Sequence, residues 1–297
     1  MENAQSIERA KKIEKALLPI LMVAGLFTIF VTIGIIFILS RETWQFFKMV
    51  PVLDFLFGVK WEPLMEPKSF GVLPLISGTL LISVGAGLLA IPAGIMIGIF
   101  LTEYAPSNIR RIVKPILEIL AGIPTIVYGF FALTFVTPFL KTFMPDIEVF
   151  NALSGAIVVG IMILPMVASL VDDALLAIPQ GLKHGAYALG ATPSEVVLGV
   201  VIPACFGRIM AAFILAISRA IGETMAVTLA AGSNPQLTFN PLHSIQTMTS
   251  YIVQVALGDT PAGGVEYLTS YAVAFLLFCM TFSLNWIGHR IMQKGSK

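Results

Sequence analysis

Charged residues are scarce in this chain. Asp, Glu, Lys and Arg make up 12% of its 297 residues, where a soluble domain carries roughly a quarter. Set against 57% hydrophobic residues and a mean hydropathy of +0.91, that scarcity excludes a chain that lives in water. The formal net charge is +1 and no basic run occurs, so nothing suggests a nucleic-acid partner. The two cysteines, Cys205 and Cys279, are far apart and lack C-x-x-C spacing, which supports neither a disulfide framework nor a zinc site. His184, His243 and His289 are scattered and propose no metal. No G-x-x-x-x-G-K-[ST] run is present, so the chain has no P-loop of its own, and no cofactor is expected. No Ser–His or metal-ligand pair falls within the apolar runs, which disfavours an intramembrane hydrolase. The glycines of "GAG" at 85–87 and of Gly94-x-x-x-Gly98 read as close helix packing rather than ligand cradles.

What is abundant is long apolar sequence. A spanning helix needs about 20 mostly apolar residues, and six segments qualify: 16–39, 73–101, 116–139, 152–171, 209–231 and 268–287. The fold class expected is an all-α integral membrane protein with six transmembrane helices and membrane lipid as a partner. The apolar run behind the charged head "ERAKKIEK" is too long for a cleavable signal and reads as an uncleaved first helix. The N-terminus and the segments 102–115, 172–208 and 289–297 hold most of the Lys and Arg, whereas 232–267 holds none. The positive-inside rule therefore predicts cytoplasmic N- and C-termini in a multi-pass protein of the cell (inner) membrane.

Two connecting segments stand out. The outer loop 40–72 contains "VPVLDFLFGVKW", too short to span and rich in aromatics, which suits the membrane interface. The inner loop 172–208 is patterned as two short helices. "GLKHGAYALG" ends at Gly190, and Thr192-Pro193-Ser194-Glu195 supplies an N-cap, a first-turn proline and an acid three residues after the cap. A cytoplasmic loop of this kind is a docking surface; a re-entrant or packing segment is the bland alternative.

Within "ILAISRAIGETMAVTLAA" (214–231), Arg219 and Glu223 stand in an apolar run. Arg219 lies about 15 Å from the inner end of a helix over 209–231, and a central Arg costs about 2.5–3.5 kcal/mol to insert. On a continuous helix Glu223, four residues on, shares its face. Either the two neutralise one another, or the face lines an anion path. In that path the guanidinium binds a tetrahedral oxyanion, Glu223 steadies it, and Ser218 and Thr224 offer hydroxyls. An ion-coupled secondary transporter would use such a pair too, but would show inverted repeats or interrupted helices, and no convincing repeat is found.

The inner-loop stretch "HGAYALGATPSEVVLGVVIP" resembles the cytoplasmic motif of ABC import permeases. His184-Gly185-Ala186 stand in its E-A-A places, Gly190 is its glycine and Ile202-Pro203 close it. The stretches "FGVLPLISGTL" (70–80), "EYAP" (103–106), "LAGIPTIVYGFF" (120–131), "SRAIGETMAV" (218–227) and "AAGSNP" (230–235) resemble the phosphate-specific permease family, PstC, from about residue 61 onward. The resemblance implies a MetI-like permease core with an extra N-terminal helix. It divides the chain into 1–72 (first helix and periplasmic segment), 73–288 (permease domain) and a cytoplasmic tail 289–297. It implies pairing with a second permease PstA, two copies of an ATPase PstB, and phosphate delivered by PstS. It places Arg219 and Glu223 in the phosphate path. It also places ATPase coupling on the helix of Leu182, Lys183, His184, Gly185, Ala186, Leu189 and Gly190, the chain itself being no enzyme. Another oxyanion, molybdate or sulfate, is the alternative cargo.

Overall fold

The computed structural model describes residues 2–258, 260–261 and 263–295; residues 1, 296 and 297, the extremes of the expected first and last segments, lie outside them. Among the described residues five helices are long and apolar enough to cross a membrane, six if a pair bent by 90° counts as one span.

Helix α1 (Glu2–Met49) runs well past the expected end at residue 39, because after Pro19 nothing interrupts it until Pro51. Its apolar part is bare on nearly every side, with Phe27 and Phe30 exposed, as a lipid-facing helix should be. The loop expected from residue 40 is therefore only 50–72. It holds α2 (Val52–Phe57) and an antiparallel hairpin of β1 (Trp61–Glu62) and β2 (Ser69–Phe70), with Trp61 opposite Phe70. Phe46, Phe55, Trp61 and Tyr251 meet edge to face and are buried, whereas Leu53 and Phe57 turn outward. The segment thus folds onto the bundle on one side and leaves an apolar face for the interface on the other.

Helix α3 (Leu73–Ile99) ends in one π-helical turn, Phe100–Tyr104. The expected crossing 116–139 is not one helix: α4 (Ser107–Gly122) meets α5 (Thr125–Phe131) at 90°. The break falls at Ile123-Pro124, where proline denies its predecessor helical geometry, and Tyr128 Oη donates to the Leu120 carbonyl across it at 2.8 Å. A π turn (Ala132–Val136) joins α5 to α6 (Thr137–Lys141). Helix α7 (Ala152–Leu176) starts at buried Asn151, whose Oδ1 accepts from the Ser154 amide at 2.7 Å.

Helices α3 and α7 form the centre. A Cβ on Gly94 would stand 2.6 Å from Val167 Cγ1, and one on Gly98 2.7 Å from Val171 Cγ1. The small residues are there for close packing, the main source of helix association where lipid is as apolar as leucine.

After α7 come α8 (Gln180–Ala188) and α9 (Pro193–Val196). The second is not the separate short helix expected: it continues through a π turn (Val197–Val201) into α10 (Ile202–Ile221). Then follow α11 (Met225–Ala231), α12 (Met248–Leu257) and α13 (Val265–Gly295). Thr43 of α1 donates to the Tyr271 carbonyl near the start of α13, so those helices run antiparallel. The bundle then has a terminal end, where α1 begins and α13 finishes, and a hairpin end opposite.

Candidate functional site

The expected span 209–231 is interrupted in its middle. Helix α10 stops at Ile221 and α11 starts at Met225, leaving Gly222-Glu223-Thr224 between them. Gly222 is a poor helix former, and three side-chain bonds hold the gap. Glu223 Oε1 accepts from the Ala226 amide at 3.3 Å, Thr224 Oγ1 donates to the Gly222 carbonyl at 3.3 Å, and Thr228 Oγ1 donates to the Thr224 carbonyl at 2.7 Å. The two charges now have separate explanations. Arg219 stands in the last turn of α10 and Glu223 just before the first turn of α11, the ends where a cation and an anion are each favoured by the helix dipole.

The four residues grouped by the sequence are only partly brought together. Glu223 is buried at the break, with Thr224 beside it. Ser218 points to α13, donating to Asn285 Oδ1 at 3.1 Å. Arg219 is exposed, and it has neither a hydrogen-bond nor an ion-pair partner among the described residues. The intrahelical pair with Glu223 fails because the helix that would align them is broken.

Thr249 was invisible in the sequence. Its Oγ1 donates to the Glu223 carbonyl at 2.7 Å, while the next amide back, Met248, donates to Thr79 Oγ1 at 3.0 Å. The chain over 245–249 dips from the hairpin end back between α3 and the break, with Gln246, Thr247 and Ser250 all buried. Further out, Glu148 ties the two loops of the hairpin end. Its Oε2 accepts from the Ser244 amide at 2.6 Å and its Oε1 meets His243 Nδ1 at 2.9 Å. The amide first, then the imidazole, hold the Glu148 carboxyl below the usual carboxylate range. This latch therefore contributes above that range and is lost as pH falls through the lowered value.

At the terminal end a carboxylate buried to 1% exposure, Asp172, is clamped by three side chains. Arg110 reaches both oxygens at 2.9 and 2.8 Å, Thr102 donates at 2.7 Å and Lys114 at 3.3 Å. The signal was present in the sequence as Arg110 and Lys114 one helical turn apart, but nothing told which acid they meet. Helix α8 stands at the same end. Leu182, His184, Gly185 and Leu189 are exposed and Ala186 packs on the core, whereas Lys183 points inward to Glu103. Lys183 is thus not part of any outward docking face. Gly190 has φ +85°, and the amides of Gly190 and Ala191 return to the carbonyls of Tyr187 and Ala186 at 2.9 and 3.2 Å. That is a Schellman stop, as the sequence implied. Glu195 closes a capping box on the Thr192 amide at 2.8 Å.

A membrane bundle with one crossing interrupted beside a bare arginine is the build of a solute transporter. The interruption, expected above of a secondary transporter, is present here, and the short amphipathic helix held out at one end is what an ABC-type permease adds. The sequence matches the binding-protein-dependent transport system inner membrane component family over residues 90–294, and the chain belongs to that family. It is 36% identical over 233 residues to the probable ABC transporter permease protein YqgH of Bacillus subtilis, covering 78% of this chain and 75% of that one. It is 34% identical over 281 residues to the phosphate transport system permease protein PstC of Mesorhizobium japonicum, covering 88% and 84%. Among solved structures it is similar to an inward-facing MetNI methionine ABC transporter, with TM-score 0.61 and 20% identity over 79% of this chain and all of that one. The last likeness confirms the MetI-like fold expected from the sequence, with α1 and 50–72 preceding the matched region.

Proposed function

We propose that the chain is the PstC-type permease of an ATP-driven inorganic phosphate importer. The observation that carries this reading is the bare Arg219 guanidinium at the interrupted crossing: a planar, permanently charged fork suited to a tetrahedral oxyanion. The PstC relatives supply the identity of that anion. In this reading the terminal end faces the cytoplasm of the cell membrane. Residues 1–72 form an accessory unit and 73–288 the permease proper, with 289–297 as a tail. A PstA-like permease completes the pathway, two PstB-like ATPases serve the pair with one of them docking on α8, and a PstS-like protein delivers phosphate at the hairpin end. ATP-driven closure rocks the two permeases about the site, where binding must replace water yet still let go. The test is reconstitution of the four components in proteoliposomes with labelled anions. ATP-dependent uptake of phosphate but not of sulfate or molybdate is expected. Uptake of either of the latter in preference to phosphate would overturn the cargo assignment.

Docking on α8 has its own test. A Cβ on Gly185 meets nothing within 4 Å, so Gly185→Ala is expected to leave ATPase binding intact and to stiffen α8 by about 0.5–1 kcal/mol. Gly185→Trp adds bulk to the exposed face and should abolish co-purification of the ATPase. Gly190→Val forces a β-branched residue into left-handed geometry at a cost of about 1–2 kcal/mol and should weaken it. Binding of the ATPase by the tryptophan variant at wild-type strength would remove α8 as its dock.

A further inference from the structure

Three consecutive residues at the terminal end of α3 each hold a different element. The Leu101 carbonyl accepts from Arg110 of α4 at 3.4 Å, Thr102 Oγ1 donates to Asp172 of α7 at 2.7 Å, and Glu103 accepts from Lys183 of α8. All three lie in the π turn Phe100–Tyr104, which closes with the Ala105 amide on the Phe100 carbonyl at 2.7 Å. Single π turns of this kind recur at functional positions in helices.

The bond to α8 differs in character from the rest of that helix. Most of α8 is surface, yet the Lys183 and Glu103 side chains are only 8% and 9% exposed. A charge pair removed from water holds its two elements together firmly, because separating it leaves two uncompensated buried charges. Helix α8 therefore cannot shift without drawing Glu103. Glu103 cannot move without disturbing the next residue, Thr102, and through it the Asp172 clamp on α4 and α7.

We infer that Lys183 and Glu103 are positioning residues for energy coupling: the link by which movement of α8 reaches the membrane crossings through the π turn. Resting on the reading of α8 as the ATPase dock, the inference assigns to Lys183 an internal role in place of contact with the ATPase. The fit is to a partner that pushes on the exposed face of α8 while the buried face transmits.

The experiment compares Glu103→Gln, Lys183→Met and the charge-exchanged double variant Lys183→Glu/Glu103→Lys in the reconstituted transporter. It measures labelled phosphate uptake, ATP hydrolysis stimulated by the loaded binding protein, and recovery of assembled complex. Each single variant is expected to assemble with its ATPase and to lose roughly tenfold in phosphate moved per ATP hydrolysed, and the exchanged pair to recover most of that ratio. Two results would overturn the inference. One is a wild-type ratio in both single variants. The other is loss of assembly in proportion to uptake with no recovery in the exchanged pair, which would make the bridge purely structural. Wild-type transporter that hydrolyses ATP but moves no phosphate would instead count against the phosphate reading. The coupling link would then stand or fall on the binding-protein stimulation of hydrolysis in the same variants.

Discussion

Arg219→Ala is expected to abolish phosphate uptake, and Arg219→Lys to reduce it by at least about tenfold, with the complex still assembling in both. A hydrogen bond to a charged group contributes about 1.5–3 kcal/mol, so losing one of the two bonds of a bidentate contact corresponds to roughly ten- to a hundredfold in rate. Lysine keeps the charge and loses the planar fork. Assembly should survive because Arg219 is exposed at the end of α10 and holds no other described residue in place. The measurement is initial uptake in vesicles normalised to complex content. An alanine variant that transports at the wild-type rate would leave Arg219 with only its favourable position at the C-terminus of α10.

Arg110→Met is expected to destabilise the folded chain by about 3 kcal/mol, near the lower end of the range for breaking a buried pair. The residue left behind, Asp172, is 1% exposed and would keep only Lys114 and Thr102. Adding Asp172→Asn to the same chain removes the stranded charge and should recover a large part of the loss. The check is thermal unfolding in detergent of the single and double variants. An Arg110→Met chain as stable as wild type would show that the clamp is incidental.

Much of this architecture was legible because its signals are local. Apolar length marked the crossings at α3, α7 and α13. The Gly190 stop and the Thr192–Glu195 box were readable because a Schellman turn and a capping box are each made by residues within a few positions of one another. The bend at Ile123-Pro124 could have been read from its proline but was hidden by the apolar run continuing across it. The break after Ile221 was harder, since one glycine followed by Glu and Thr is an ordinary sequence for a helix. What stops it is the set of capping bonds around Glu223, together with Thr249 bracing its carbonyl from a segment that folds back from the hairpin end. The same limit explains Lys183. The resemblance to import permeases put it on the docking helix, and only the placement of Glu103, far back in the chain, turns it inward.

The 90° bend at Ile123-Pro124 also sets a length. With α4 turned aside, the crossing that remains, Thr125–Lys141, is about 25 Å long at 1.5 Å per residue, less than the roughly 30 Å of an average hydrocarbon core. A short crossing draws the two leaflets together around it, at a cost that grows with every ångström of mismatch. Set in an average bilayer, a crossing of this length would be met by local thinning of the lipid, by flanking side chains reaching outward, or by association with another helix. The angle between α4 and α5 is then a place where the thickness of the surrounding lipid would act on the protein.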